Sequence, residues 1–132
     1  LMGDVVEPRT AYVAPGGRHM LVRNQDGRII TTLNDQPPEN GCRPSVDVFF
    51  RSAAVAYQES LVAIVLTGME CDGAPGLGPL KRSGAYVIAQ DEATSVVWGM
   101  PGAVATAGLC SAVLPLSDIG PYVKKAILRT AA

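Results

Sequence analysis

The sequence predicts an α/β fold: a mostly parallel, doubly wound, Rossmann-like sheet accompanied by an antiparallel hairpin. Three observations carry this. Leu61-Val62-Ala63-Ile64-Val65-Leu66 is an unbroken apolar run rich in β-branched types, which suits a strand buried on both faces of a parallel sheet. Ala85-Tyr86-Val87-Ile88-Ala89 is a second such run, placed so that strand, crossover helix and strand fit within the roughly thirty residues of a βαβ unit. Finally, Asn24-Gln25-Asp26-Gly27 separates residues 19–23 from residues 28–32, and its Asp-Gly end supplies the positive backbone angles that a hairpin loop requires.

The remaining elements follow in chain order. Residues 10–14 read as a short strand stopped by Pro15-Gly16-Gly17. After the hairpin, residues 34–43 collect Asn, Asp, Pro and Gly and read as an exposed loop. Ser45 then caps a helix on which Val46, Phe49, Phe50, Ala53 and Tyr57 share a face. That face is expected to be core, with Phe49→Ala or Phe50→Ala costing about 3–5 kcal/mol. The strand at 61–66 is followed by a helix over 74–83 ending at Gly84, the strand at 85–89, and a short helix over 101–107 closed by Gly108. A last strand spans 111–115. Ser117 is expected to cap a terminal helix with Ile119, Tyr122, Val123, Ala126 and Ile127 on one face, Pro121 delaying its start and Lys124, Lys125 and Arg129 in solvent near a helix end that favours cations.

Composition narrows the function. The 132 residues amount to one domain, and 11 basic against 12 acidic side chains, with no long basic run, leave no electrostatic footprint for nucleic acid. The 48% hydrophobic content is broken by 14 Gly and 10 Pro, so no stretch reaches bilayer-spanning length and no membrane insertion is expected. Cys42, Cys71 and Cys110 never form a C-x-x-C pair, which fits reduced thiols in a cytoplasmic protein. Nothing near Leu1 resembles a secretory signal, and that beginning reads as interior to a longer protein.

The chemistry concentrates after residue 66, where Thr67-Gly68-Met69-Glu70-Cys71-Asp72-Gly73 follows a buried strand. Ligands of open parallel sheets gather at the carboxyl ends of strands. Asp72 there has three readings: orienting a histidine, binding a cation, or capping the following helix. Met69 reads as core filling by its side chain, while its backbone N–H can donate to a developing oxyanion. Gln90-Asp91-Glu92 ends the second strand with polar groups at another such carboxyl end. Ser45, His19 and Asp72 have the residue types of an acyl-transfer triad, but Ser45 follows a proline at a helix start, without a Gly-x-Ser-x-Gly elbow, and reads as a cap. His19 reads as a structural or surface residue, and Cys71 has no base or cation beside it in sequence. Gly76-Leu77-Gly78 with Lys81-Arg82-Ser83 fails the phosphate-loop order.

Four blocks in one order resemble the catalytic domain of CheB-type protein-glutamate methylesterases: residues 14–19 (Ala-Pro-Gly-Gly-Arg-His), residues 43–50 from Arg43-Pro44-Ser45-Val46-Asp47 onward, Leu66-Thr67-Gly68-Met69 with Asp72-Gly73, and residues 88–97 continuing to Gly99-Met100-Pro101. The resemblance covers nearly all of the chain but only the C-terminal part of that domain, with its N-terminal part missing. It implies a Ser-His-Asp hydrolase that removes methyl groups from glutamyl methyl esters on bacterial chemoreceptors and deamidates receptor glutamines, without a cofactor or metal.

The family's serine lies in a Ser-Thr-Gly-Gly context and its base in a His-Met-Pro-Pro context; neither occurs in this sequence. Asp72 matches the family's catalytic aspartate and Met69 the position whose N–H contributes to the oxyanion hole. The family has Gly where this chain has Glu70, which adds a second carboxylate beside the site. The expectation is a fragment inactive by itself, whose partners are a methylated chemoreceptor cytoplasmic domain and, in the full-length protein, a receiver domain. The alternative is a non-catalytic binding or regulatory module that retains the fold. A sheet lacking its early strands bares an edge, so self-association through that edge is also expected.

Overall fold

The computed structural model describes residues 3–69 and 74–131. They fall into two compact units, the first drawn from residues 1–61 and 72–85 and the second from 62–71 and 86–132.

In the first unit, Asp26 and Gly27 take φ of 54° and 85°, the paired positive angles of a two-residue hairpin turn. They join β1 (His19–Gln25) to β2 (Arg28–Asn34) in an antiparallel ladder running from Gln25↔Arg28 to His19↔Asn34. The strand expected at 10–14 does not form. Arg9 has φ of 60°, and the Tyr12 hydroxyl closes a local loop, accepting from Glu7 N at 3.0 Å and donating to the Val5 carbonyl at 3.1 Å. The edge beside β2 is taken by residues 3–6 instead, with Val5 bridged to Ile30 and Val6 N donating to the Ile29 carbonyl at 2.8 Å.

Helix α1 (Val46–Tyr57) starts where Ser45 Oγ accepts from Val48 N at 3.4 Å. Its buried stripe is Asp47, Phe50, Ala53 and Ala54, displaced from the expected face. Val46 and Phe49 are only half-buried and line a small apolar hollow with Ala14, Met20 and Pro44. The large truncation cost expected for both rings therefore applies to Phe50 and is smaller for Phe49. Ser52 ties α1 to the hairpin, its Oγ accepting from Val22 N at 3.1 Å. Helix α2 (Ala74–Arg82) packs on α1 with Leu77 and Leu80 fully buried, and the chain leaves it at Gly84 with φ of 95°, a left-handed angle that glycine adopts freely.

In the second unit, β3 (Val62–Val65), β4 (Tyr86–Gln90) and β5 (Ala112–Leu114) form a parallel sheet in the order β3-β4-β5. Central β4 is buried from Val87 to Gln90. The expectation that the first strand is buried on both faces is corrected: β3 alternates, with Ala63 and Val65 buried and Val62 and Ile64 at 36% and 38% exposure. It is an outer strand of the described sheet, paired along one edge only, and the face carrying Val62 and Ile64 is partly open.

Helix α3 (Gly99–Thr106) begins ahead of Pro101, which sits in its first turn where a missing N–H costs nothing. Helix α4 (Leu116–Ala131) begins before Ser117, so Ser117 is not its cap, and Pro121 lies inside the helix without delaying its start. Of the expected inner face, Ile119 is buried, Val123 and Ala126 are half-buried, and Tyr122 and Ile127 are exposed. Tyr122 stacks on Tyr86 of β4 at 5.9 Å between centroids, with the two hydroxyls hydrogen-bonded. Lys124 and Lys125 are in solvent. No helix among the described residues is long and apolar enough to cross a membrane.

Candidate functional site

Parallel strands β3 and β4 run side by side to Val65↔Ala89, so the chain beyond β3 and the last residue of β4 emerge together. Gln90, the final residue of β4, is 1% exposed. A carboxamide buried that deeply must satisfy both its acceptor and its donors. Its Oε1 accepts from Thr67 N at 2.9 Å, and its Nε2 donates to the Thr94 carbonyl at 2.8 Å. A backbone N–H only donates and a carbonyl only accepts, so these partners fix which way the amide points. The Gln90 carbonyl also accepts from Trp98 Nε1 at 2.9 Å.

Thr67 continues the lattice. Its Oγ1 donates to the Val97 carbonyl at 2.8 Å and accepts from Val97 N at 2.9 Å. Gly68 N donates to the same carbonyl at 3.0 Å, and Met100 N donates to the Gly68 carbonyl at 3.0 Å. Gly99 permits this approach, since a Cβ there would lie 2.7 Å from the carbonyl oxygens of both Gly68 and Met69. Beyond this braced segment the Met69 side chain is 79% exposed, correcting its reading as core filling. Its backbone N–H meets no acceptor among the described residues. A fixed, unengaged amide N–H at a strand's carboxyl end can donate to developing negative charge.

The neighbouring loop is stabilised from within. Asp91 Oδ1 accepts from Thr94 N at 3.0 Å and Thr94 Oγ1 at 2.6 Å, and Thr94 Oγ1 in turn accepts from Leu116 N at 3.0 Å. The Asp91 carboxylate is thus committed to loop geometry.

In the first unit, His19 and Ser45 meet without forming a catalytic pair. Ser45 N, not its hydroxyl, donates to His19 Nδ1 at 3.2 Å, which leaves Nε2 to donate to the Pro37 carbonyl at 2.9 Å. Both ring nitrogens are engaged and the residue is 1% exposed, as its structural reading expects. Asp47 is fully buried; its Oδ1 accepts from Gly76 N in the first turn of α2 at 2.6 Å, and its Oδ2 from Asn40 Nδ2 at 2.7 Å. A Cβ on Gly76 would lie 2.7 Å from Asp47 Cα, so the contact requires glycine. Asp72, with Glu70 and Cys71, lies outside the described residues. Among the described residues, no cluster of three His, Cys, Asp or Glu side chains is arranged to hold a metal ion.

The sequence marks Gln90 as one of three polar residues at a strand's carboxyl end but not as the bridge to Thr67 and Thr94, and it gives Asp47 no role beyond its place in a family block. The available signal for Gln90 was its place directly after four apolar residues of a buried strand. For Asp47 there was only its position behind Ser45, where a carboxylate in the first turn is common.

A family model described as CheB methylesterase matches residues 2–123. The chain belongs to the CheB methylesterase family. It is 54% identical over 121 residues to a "protein-glutamate methylesterase/protein-glutamine glutaminase of group 2 operon" of Rhodopseudomonas palustris (strain ATCC BAA-98 / CGA009), covering 92% of this chain and 31% of the relative. It is 52% identical over 130 residues to a protein-glutamate methylesterase/protein-glutamine glutaminase of Azospirillum brasilense, covering 98% of this chain and 33% of the relative. The chain thus spans 31–33% of the length of these relatives. The crystal structure of the Thermotoga maritima CheB methylesterase catalytic domain superposes with a TM-score of 0.84 at 38% identity, over 87% of this chain and 61% of that one. The α/β fold, with its hairpin and parallel sheet, is that of the CheB family.

Proposed function

We propose that the chain is the C-terminal portion of a methylesterase catalytic domain in a cytoplasmic chemotaxis protein, and that it supplies Asp72 and the Met69 N–H to a Ser-His-Asp site. The serine and histidine come from the remainder of the domain. The serine hydroxyl attacks a glutamyl methyl ester carbonyl while the histidine takes its proton. Asp72 holds the imidazole in the required tautomer and stabilises the imidazolium. The Met69 N–H donates to the oxygen that gains negative charge. Methanol leaves with the proton held by the histidine, and water then hydrolyses the acyl-enzyme. A glutamine side chain presents the same carbonyl with ammonia as the leaving group. The substrate is a chemoreceptor cytoplasmic domain, and a receiver domain belongs to the full-length protein.

The observation that carries this reading is the braced Thr67-Gly68-Met69 segment at the end of β3, with the Met69 N–H unengaged among the described residues. The experiment replaces the matching segment of the Rhodopseudomonas palustris relative with this chain and assays methyl-ester hydrolysis. The chimera is expected to be active and the isolated chain inactive. By the behaviour of other triads, Asp72→Asn lowers kcat about 10⁴-fold in the chimera. Near-normal turnover in that variant removes Asp72 from the mechanism, and an inactive wild-type chimera favours the non-catalytic module. By itself the chain is expected to associate with a second copy along outer strand β3, where Val62 and Ile64 are exposed; a monomer by light scattering refutes this.

A further inference from the structure

We infer that Gln90 is a positioning residue for the Met69 N–H: the carboxamide at the end of β4 sets the geometry of the proposed oxyanion donor. The inference rests on the methylesterase reading above. The preceding β4 residues Val87, Ile88 and Ala89 are apolar and at most 1% exposed. A residue that only filled space at the next position would be apolar too. Gln90 instead carries the desolvation cost of an amide, which is offset because both of its ends are bonded. One bond takes the Thr67 N–H at 2.9 Å, and the other reaches the Thr94 carbonyl at 2.8 Å. With Thr67 N, Thr67 Oγ1, Gly68 N and the Gly68 carbonyl all engaged, the peptide that joins this carbonyl to the Met69 N–H has little room to turn. A donor held in place before charge develops stabilises that charge without reorganising in the transition state.

The test uses the chimera described above with three variants. Gln90→Met keeps side-chain length and removes both bonds. Gln90→Glu keeps an acceptor for Thr67 N and, once ionised in assays on the alkaline side, loses the donor to Thr94. Thr67→Val keeps the Thr67 N–H and removes the hydroxyl clamp on Val97. Positioning predicts that kcat in Gln90→Met falls about ten- to a hundredfold, less than the 10²–10³ of losing a donor outright, while KM changes by less than about twofold. Gln90→Glu and Thr67→Val should lower kcat in the same manner, and they carry the test if Gln90→Met fails to fold.

A purely structural role lowers the amount of folded enzyme but leaves kcat per folded molecule unchanged; that result, or a rise in KM alone, overturns the inference. If the wild-type chimera is inactive, the methylesterase reading fails first. The backbone amide resonance of Met69 in the chain itself then decides: a shift in Gln90→Glu supports positioning, and an unmoved resonance overturns it.

Discussion

Asp47 reaches from the first turn of α1 to Gly76 N at 2.6 Å and Asn40 Nδ2 at 2.7 Å, whereas Gln90 reaches from the end of β4 to Thr67 N at 2.9 Å and the Thr94 carbonyl at 2.8 Å. Both side chains are buried, and each accepts from one backbone N–H that is distant in sequence and bonds a second group nearby. Their chemistry differs. A carboxylate only accepts, so Asp47 gathers donors, including the N–H of a helix start where negative charge is favoured. A carboxamide accepts and donates, so Gln90 can be threaded between an N–H and a carbonyl with a single orientation. Charge-assisted bonds are shorter and stronger, which suits Asp47 to holding two helices together. The neutral amide suits Gln90 to setting a backbone angle with little charge burial. The first is expected to govern stability and the second geometry.

The largest test of this contrast is Asp47→Ala, which strands the buried Gly76 N–H, removes the charged partner of Asn40 Nδ2 and should cost on the order of 2–5 kcal/mol in a urea titration. A loss below about 1 kcal/mol would break the comparison. Next is Gly76→Ala, whose methyl would meet Asp47 backbone at 2.7 Å and should cost about 1–3 kcal/mol by overpacking. Gly99→Ala, with its Cβ at 2.7 Å from the Gly68 and Met69 carbonyl oxygens, should cost a similar amount but also displace the Met69 amide resonance, which Gly76→Ala should leave closer to its place. Gln90→Met should lower stability by only about 1–2 kcal/mol, and a loss larger than that of Asp47→Ala would invert the contrast.

The smallest effect is a control in which neither residue takes part. Burial, with the nearby Tyr12 adding to it, raises the pKa of Tyr57 at the end of α1 above the ordinary tyrosine value. The unfolded chain therefore loses this proton first. The associated stability is complete below the unfolded tyrosine pKa and is lost as pH rises through the folded one. Because Tyr57 keeps much of its exposure, the slope should be slight, and Tyr57→Phe should abolish it in alkaline urea titrations.

Much of the first unit was legible because its signals are local. Asp26-Gly27 specifies its own turn angles, and Ser45 meets an N–H in the next helical turn, so neither depends on distant chain. The strand at 10–14 was misread for the opposite reason. Its composition favours a strand, but the Tyr12 hydroxyl bonds back to Val5 and Glu7 and residues 3–6 take the edge of β2. On α1, periodicity found the helix but misplaced its buried stripe, since the partner of Asp47 is Gly76, in a different helix. In the candidate site, Met69 was visible as a loop residue after an apolar strand. That Gln90, Val97 and Met100 bond to that loop was not.

Apart from the strand expected at 10–14, the sequence by itself determined where the named strands, helices and the hairpin turn lie to within a few residues, which strands are apolar enough to pair in parallel, and the family to which the chain belongs. These follow from backbone propensity, side-chain period and residue order, all of which are read along the chain. Tertiary structure alone decided that Gln90 is a buried bridge, that one face of β3 stays partly open, and that Asp47 is spent on a helix start. A hydrogen bond from Thr67 N to Gln90 Oε1 exists only once β3 and β4 lie in register. Burial turns such a bond from one exchangeable with water into one that must be made.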